Sequence, residues 1–154
     1  MLDLCDKTAV ELRSLIGRKD ISPVELVESC IERIEAIDNK LNAVVTTAFT
    51  REREEASLAE KSVLNGEELG LLHGLPVGIK DLEATVDIRT TSGSQLYADN
   101  IPAKDQGSVA NIRAEGGIVI GKTNTPEFGA GANTRNLVFG ATGNPFATDK
   151  TCGG

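Results

Sequence analysis

The first third of the chain places its hydrophobic residues at helical spacing. Thr8 and Glu11 stand three residues apart and predict a capping box, in which each side chain accepts a backbone amide near the helix start. A second capping box, Ser22–Glu25, has Pro23 at the first helical position, where a missing N–H is harmless. The apolar residues after the two caps are Leu12, Leu15 and Ile16, then Val27, Cys30, Ile31, Ile34 and Ile37. The pattern predicts two amphipathic helices, the first ending at Gly17.

The following segments predict a strand and a third helix. Residues 41–49 are rich in β-branched side chains, which favour an extended backbone. Residues 50–66 predict a charged surface helix, and we interpret Arg51–Glu55 as its solvated face.

From position 66 onward the chain becomes rich in glycine. Short apolar strands are predicted at 76–80 and 117–121, and a helix at 105–115 between them. This strand, helix, strand order predicts an α/β fold. With no repeat or linker in view, we expect residues 1–154 to be part of one domain. In it, residues 1–65 would form a mainly helical layer, and residues 66–154 a Gly-rich region of strands and helix.

Composition excludes several classes of partner. The net charge of −7 and the 3% of aromatic residues argue against nucleic acid, which needs a basic surface or stacking side chains. No apolar run is long enough to span a membrane, and the start of the chain lacks the features of a signal peptide. Three widely spaced cysteines, Cys5, Cys30 and Cys152, fit free thiols in a reducing cytoplasm. A reactive Cys152 is an alternative, although no histidine lies near it in sequence.

Lys80 is the first candidate for chemistry. It ends the apolar strand of the segment Gly74–Asp81, and a lysine carried into an apolar environment tends to be neutral, as a general base must be. The competing interpretation is a structural lysine that reaches solvent or pairs with a neighbouring carboxylate.

Gly116–Thr123 matches the pattern of a phosphate-binding P-loop, G-x-x-x-x-G-K-[ST]. A P-loop, however, follows its strand, whereas Ile118–Ile120 is itself a strand-forming run. We therefore expect a helix end followed by a strand here, with nucleotide binding as a remote alternative. His73 is expected to be a loop residue, and no acidic or histidine cluster has the spacing of a metal site.

Several motifs in register resemble the amidase signature family over nearly the whole chain. In order, they are Gly74-Leu-Pro-Val-Gly-Ile-Lys80-Asp81, Thr90-Thr-Ser-Gly-Ser94, Ala114-Glu-Gly-Gly-Ile-Val-Ile-Gly-Lys122-Thr-Asn-Thr-Pro-Glu-Phe128, Gly140-Ala-Thr-Gly-Asn-Pro145 and Cys152-Gly-Gly154. The family has a mixed sheet between helical layers. It hydrolyses carboxylic amides to a carboxylate and ammonia or an amine through a Ser–cis-Ser–Lys triad, without a cofactor.

The resemblance assigns Lys80 as the base and aligns Gly129, Ala130 and Gly131 with a stretch that lines the acyl pocket. It implies a small-molecule amide substrate and is compatible with a homodimer or a larger amidotransferase assembly.

In this family the terminal Gly-Gly is followed by a Ser-Ser-Gly-Gly segment. We therefore expect the chain to be the N-terminal portion of a longer amidase domain, to lack both catalytic serines and to be inactive alone. The alternative is a non-catalytic binding or regulatory fragment of the same fold.

Overall fold

The computed structural model describes residues 3–154 and shows the α/β fold that the segment order predicts. The helices are α1 (Ala9–Gly17), α2 (Pro23–Leu41), α3 (Phe49–Asn65) and α4 (Gly107–Ala114). The strands are β1 (Val44–Thr46), β2 (Pro76–Lys80), β3 (Ile118–Thr123), β4 (Arg135–Asn136), β5 (Gly140–Ala141), β6 (Gly143–Asn144) and β7 (Ala147–Thr151). Short 3-10 turns lie at Leu4–Asp6, Gln95–Tyr97 and Glu127–Gly129.

Both predicted capping boxes are present. The Thr8 hydroxyl accepts from the Glu11 amide, and the Glu11 carboxylate accepts from the Thr8 amide at 2.8 Å. Ser22 and Glu25 make the same pair of bonds, at 3.1 and 2.8 Å. These contacts join residues three positions apart, so they form from local sequence alone.

A strand does lie within residues 41–49, as predicted, but it is shorter than the prediction. Helix α2 continues to Leu41, α3 begins at Phe49, and only Val44–Thr46 pairs as a strand. Asn42 adopts a positive φ of 55°, and the Asp38 carboxylate accepts from the amides of Ala43 and Val44. This capped turn uses the residues that propensity assigns to the strand.

The interpretation of Arg51–Glu55 as a solvated face is wrong at Glu52, which is fully buried on the inner side of α3. Glu55 is also partly covered, since it accepts from Arg51 at 2.9 Å and from Arg113 at 2.8 Å. Helical geometry explains the difference, because a run of five charged residues goes more than once around the helix and must present one of them inward.

The main sheet has the strand order β1–β3–β2. β1 runs antiparallel to β3, with Val44 opposite Thr123. β2 and β3 are parallel, because Ile118 donates to Leu75 O at one end and Asp81 donates to Thr123 O at the other, each at 2.9 Å. The sheet is therefore mixed. The pairs β4–β5 and β6–β7 form separate antiparallel ladders.

The described chain divides into two compact units whose cores differ in chemistry. The first unit comprises the described residues up to Ile34 with 48–77 and 110–120, and its core consists of aliphatic side chains. The second unit comprises 35–47, 78–109 and 121–154. It holds every buried polar or charged residue found among residues 3–154 except Glu52. Buried polar groups are costly unless they are hydrogen-bonded, so the second unit is where a functional framework is expected.

No helix in the described part of the chain is both long and apolar enough to cross a membrane.

Candidate active site

Lys80 ends β2, as predicted, but its side chain is exposed. The expectation that the apolar run carries this lysine into the interior is wrong in this chain. Alternation along the strand gives the physical reason, since Ile79 points to the buried side while Gly78 and Lys80 share the other. Gly78 and Lys80 are both exposed, so this face of the strand end is accessible to solvent.

The residue after Lys80 anchors the strand end in the polar interior. Asp81 is fully buried, and its carboxylate accepts from the Thr91 amide at 3.0 Å and from the Thr91 hydroxyl at 2.5 Å. The Gly93 amide adds a longer bond of 3.4 Å to the same carboxylate. In addition, the Ser92 amide donates to the backbone oxygen of Asp81 at 2.8 Å. Asp81 therefore ties the end of β2 to residues 91–93, and its burial is compensated by these donors.

The fully buried lysine of this chain is Lys122, on β3. Its ammonium donates to the backbone oxygen of Glu83, to the Thr85 hydroxyl at 2.7 Å and to the Thr90 hydroxyl at 3.1 Å. An ammonium has three N–H donors, and each one finds an acceptor here. Burial lowers the pKa of Lys122 to about 8, against nearby carboxylates, of which Asp81 has the largest opposing effect. Lys122 therefore fixes both ends of the segment 83–90.

This arrangement confirms the prediction for Gly116–Thr123. Helix α4 ends at Ala114, Gly116 has a φ of 81°, and Ile118–Thr123 is a strand. The lysine of the apparent P-loop pattern lies inside that strand and is occupied by three internal acceptors. Sequence reasoning missed its structural role, although the pattern did point to the residue.

The segment predicted to line an acyl pocket, Gly129–Gly131, is exposed at the surface. It follows a tight turn in which Phe128 and Gly129 both have positive φ, 52° and 71°. The Phe128 amide donates to the Ser92 oxygen at 2.8 Å, and a Cβ on Gly129 would lie 2.8 Å from a methyl carbon of Leu82. The turn therefore lies against the segments that Asp81 holds together. One of its contacts, Leu82, is two residues from Lys80 in sequence.

The final glycines lie beside the same turn. A Cβ on Gly154 would clash with the Gly131 oxygen and would lie 2.9 Å from the carbonyl carbon of Ala132. The Thr134 amide donates to the Gly153 oxygen at 2.6 Å. The structure thus brings together Gly131 and Gly154, which are 23 positions apart in sequence. Only a glycine allows so close a backbone contact.

A buried network of amide and hydroxyl side chains supports this region. Asn136 donates to the side chain of Asn124 at 2.7 Å, and Asn124 donates to the Thr142 hydroxyl at 2.9 Å. The Thr142 hydroxyl in turn donates to the Asn42 oxygen at 2.6 Å. Thr142 and Asn124 also line a cavity of about 280 Å³, together with Cys152.

The remaining sequence candidates lie elsewhere or stay untested. His73 belongs to the first unit, where its Nε2 lies 3.0 Å from the Ala59 oxygen. Cys152 is exposed, and its thiol donates to the oxygen of Gly153. Among residues 3–154, no group of three or more histidine, cysteine or acidic side chains could hold a metal ion.

Comparison with known proteins identifies the family of this chain. A family model described as amidase matches residues 25–154. A glutamyl-tRNA(Gln) amidotransferase subunit of Alkaliphilus metalliredigens is 38% identical over 149 residues, which cover 97% of this chain and 30% of that protein. An acylamidase of Rhodococcus erythropolis is 39% identical over 149 residues, which cover 96% of this chain and 31% of that protein.

Solved structures show the same relationship. The crystal structure of a bacterial aryl acylamidase of the amidase signature family matches with a TM-score of 0.91 and 38% identity, over 96% of this chain and 31% of that one. The chain thus spans about 30% of the length of the curated relatives it matches. Since the family model covers most of the chain and the fold agrees with a solved member, this chain belongs to the amidase family.

Proposed function

We propose that the polypeptide containing this chain hydrolyses a carboxylic amide, with Lys80 as the general base. The observation that carries the proposal is the position of Lys80. Its amine stands on an open strand face, while its backbone neighbour Asp81 is locked into the buried polar framework. A base needs a free amine on a rigid support, because proton transfer depends on reach and orientation.

Lys122 is the competing candidate for the base, and its contacts argue against it. All three of its donors are engaged by internal acceptors, and its side chain is fully buried. A group that has no route to a substrate cannot exchange a proton with it. We assign Lys122 the role of holding segment 83–90, which leaves Lys80 as the lysine able to reach a reacting atom.

In the proposed mechanism, the Lys80 amine accepts a proton through a bridging serine from a nucleophilic serine, which attacks the amide carbonyl. From the family resemblance we propose that both serines follow Gly154, where the chain passes the backbone of Gly131 and Ala132. Residues 1–154 would be inactive alone, because a base without its nucleophile forms no acyl intermediate.

We propose that Gly129, Ala130 and Gly131 line the acyl side of the substrate site. All three residues are small and exposed, and Gly129 lies against the Leu82 side chain. This contact connects the candidate acyl site to the residues that directly follow the strand carrying the base.

Two kinds of relative bear on which amide is the substrate. An acylamidase and a glutamyl-tRNA(Gln) amidotransferase subunit match this chain at 39% and 38% identity. We propose only the chemistry that they share by name, acting on an amide. By analogy with the amidotransferase subunit, we also propose that the polypeptide assembles with further subunits.

Replacing Lys80 in the full-length polypeptide tests the base assignment. Lys80→Met should lower kcat on a chromogenic aryl amide by about 10³-fold or more, because removal of one member of a catalytic unit disables the whole unit. The matched control is Lys104→Met at another exposed lysine, which should retain normal kcat. Near-normal turnover by Lys80→Met would exclude Lys80 as the base, and turnover by residues 1–154 alone would exclude the requirement for downstream serines.

A further inference from the structure

Two thiols far apart in sequence meet in the first unit. Cys5 lies in the 3-10 turn Leu4–Asp6, and Cys30 lies in the middle of helix α2. Their sulfur atoms are 3.7 Å apart, and both are free thiols that are only partly buried. The proposed amide hydrolysis uses neither residue.

The turn that carries Cys5 is held against α2 by contacts that do not involve the sulfur atoms. The Asp3 carboxylate caps the turn by accepting from the Cys5 amide at 3.0 Å. It also accepts from the Ser29 hydroxyl at 3.1 Å and pairs with Arg33 at 2.5 Å. Ser29 and Arg33 lie on either side of Cys30 in the same helix. The closeness of the two thiols therefore rests on an independent set of polar contacts and not on a chance rotamer.

We propose that Cys5 and Cys30 form an oxidation site, at which a small-molecule disulfide such as glutathione disulfide converts the two thiols into an intramolecular disulfide. The sulfur atoms must approach by about 1.7 Å to reach bonding distance. The product joins the N-terminal turn covalently to α2.

The reaction proceeds in two thiol–disulfide exchanges. The Cys5 thiolate attacks one sulfur of glutathione disulfide, which forms a mixed disulfide and releases one glutathione thiolate. The Cys30 thiolate then attacks the Cys5 sulfur, which forms the Cys5–Cys30 bond and releases the second glutathione. The protein loses two electrons and two protons, and one glutathione disulfide becomes two glutathione molecules.

The surroundings favour this order of attack. Burial raises the pKa of the Cys30 thiol to about 12, and the neighbouring Cys5 adds to this effect. Cys30 is therefore a poor first nucleophile for an oxidant in solution. Once Cys5 carries glutathione, Cys30 already lies beside the sulfur that it must attack.

The test is an exchange equilibrium measured on the chain with Cys152→Ser, since exposed Cys152 would itself take up glutathione. The protein is incubated with fixed ratios of reduced to oxidised glutathione, in buffer and in denaturing urea. Intact mass reports the loss of two hydrogens, and peptide mapping identifies a Cys5–Cys30 link. If the fold presents the thiols to each other, the equilibrium constant for the link should be at least about tenfold larger in the folded chain.

Adding Cys30→Ser to the same background provides the control. This variant should stop at a single glutathione adduct on Cys5, because the resolving thiol is absent. A stable glutathione adduct on Cys5 while Cys30 is present would overturn the proposal. An equilibrium constant for the Cys5–Cys30 link that is less than about tenfold larger in the folded than in the unfolded chain would also overturn the proposal.

Discussion

Glu52 should make the stability of the first unit fall as the pH rises. Its carboxylate is fully buried on α3, and neither of its oxygens has a hydrogen-bond partner in the described structure. Burial raises the pKa of Glu52 from 4.5 to about 7, and Glu55 adds to the effect, while the backbone of Glu52 and Ala48 and the charge of Arg51 oppose it. Burial outweighs these weaker contacts and favours the protonated form, since charge is poorly solvated in the interior.

The sign of the effect follows from proton linkage. The folded state binds the Glu52 proton more tightly than the unfolded state does. The contribution of this proton to the free energy of unfolding is therefore fully present below about pH 4.5. The contribution is lost as the pH rises, and the loss is complete above the folded-state pKa of about 7. At about 1.4 kcal/mol for each pKa unit, the difference between the two limits is about 3 kcal/mol as an upper value.

The perturbation is Glu52→Gln, which keeps the shape of the side chain and removes its ionisation. Urea unfolding at about pH 5 and about pH 8.5 should show the variant gaining up to about 2.5 kcal/mol over the wild type between the two conditions, since a small part of the contribution is already lost at pH 5. Any constant penalty from burying the amide cancels in this difference. Glu54→Gln, two positions along the same helix and exposed, is the matched control and should gain nothing. Equal gains for the two variants, or no gain for Glu52→Gln, would refute the reasoning.

Two further predictions concern the second unit. Lys122→Met should destabilise the chain by about 1–3 kcal/mol at neutral pH, because the acceptors at Glu83, Thr85 and Thr90 lose their donor. Since the pKa of Lys122 is lowered to about 8, the deficit of the variant should grow as the pH rises from about 8 to 10, and a deficit that shrinks would contradict the lowered pKa. Gly129→Ala should cost about 1–2 kcal/mol in thermal or urea unfolding, because φ is positive and the new Cβ meets Leu82. Its control, Gly107→Ala, has open space in helix α4 and should be neutral or stabilising, so equal losses would show that the turn is not restrained.

The sequence by itself determined the elements that depend on near neighbours. The starts of α1 and α2 could be predicted because each capping box closes between residues three positions apart. The strand nature of Ile118–Ile120 also followed from local preference, and it was enough to set aside the P-loop. The ordered motifs from Gly74 to Gly154 carried the family, since each is short and their order is specific.

Tertiary structure alone decided which charged groups are buried. Two lysines each end or interrupt an apolar strand, and sequence reasoning chose Lys80 as the buried one, whereas the interior holds Lys122. The outcome depends on acceptors from Glu83, Thr85 and Thr90, which lie more than 30 positions away from Lys122 in the chain. Burial of a charge is set by which distant groups surround it, and no local pattern contains that information. The same holds for Glu52 within a charged run, and for the meeting of Cys5 with Cys30.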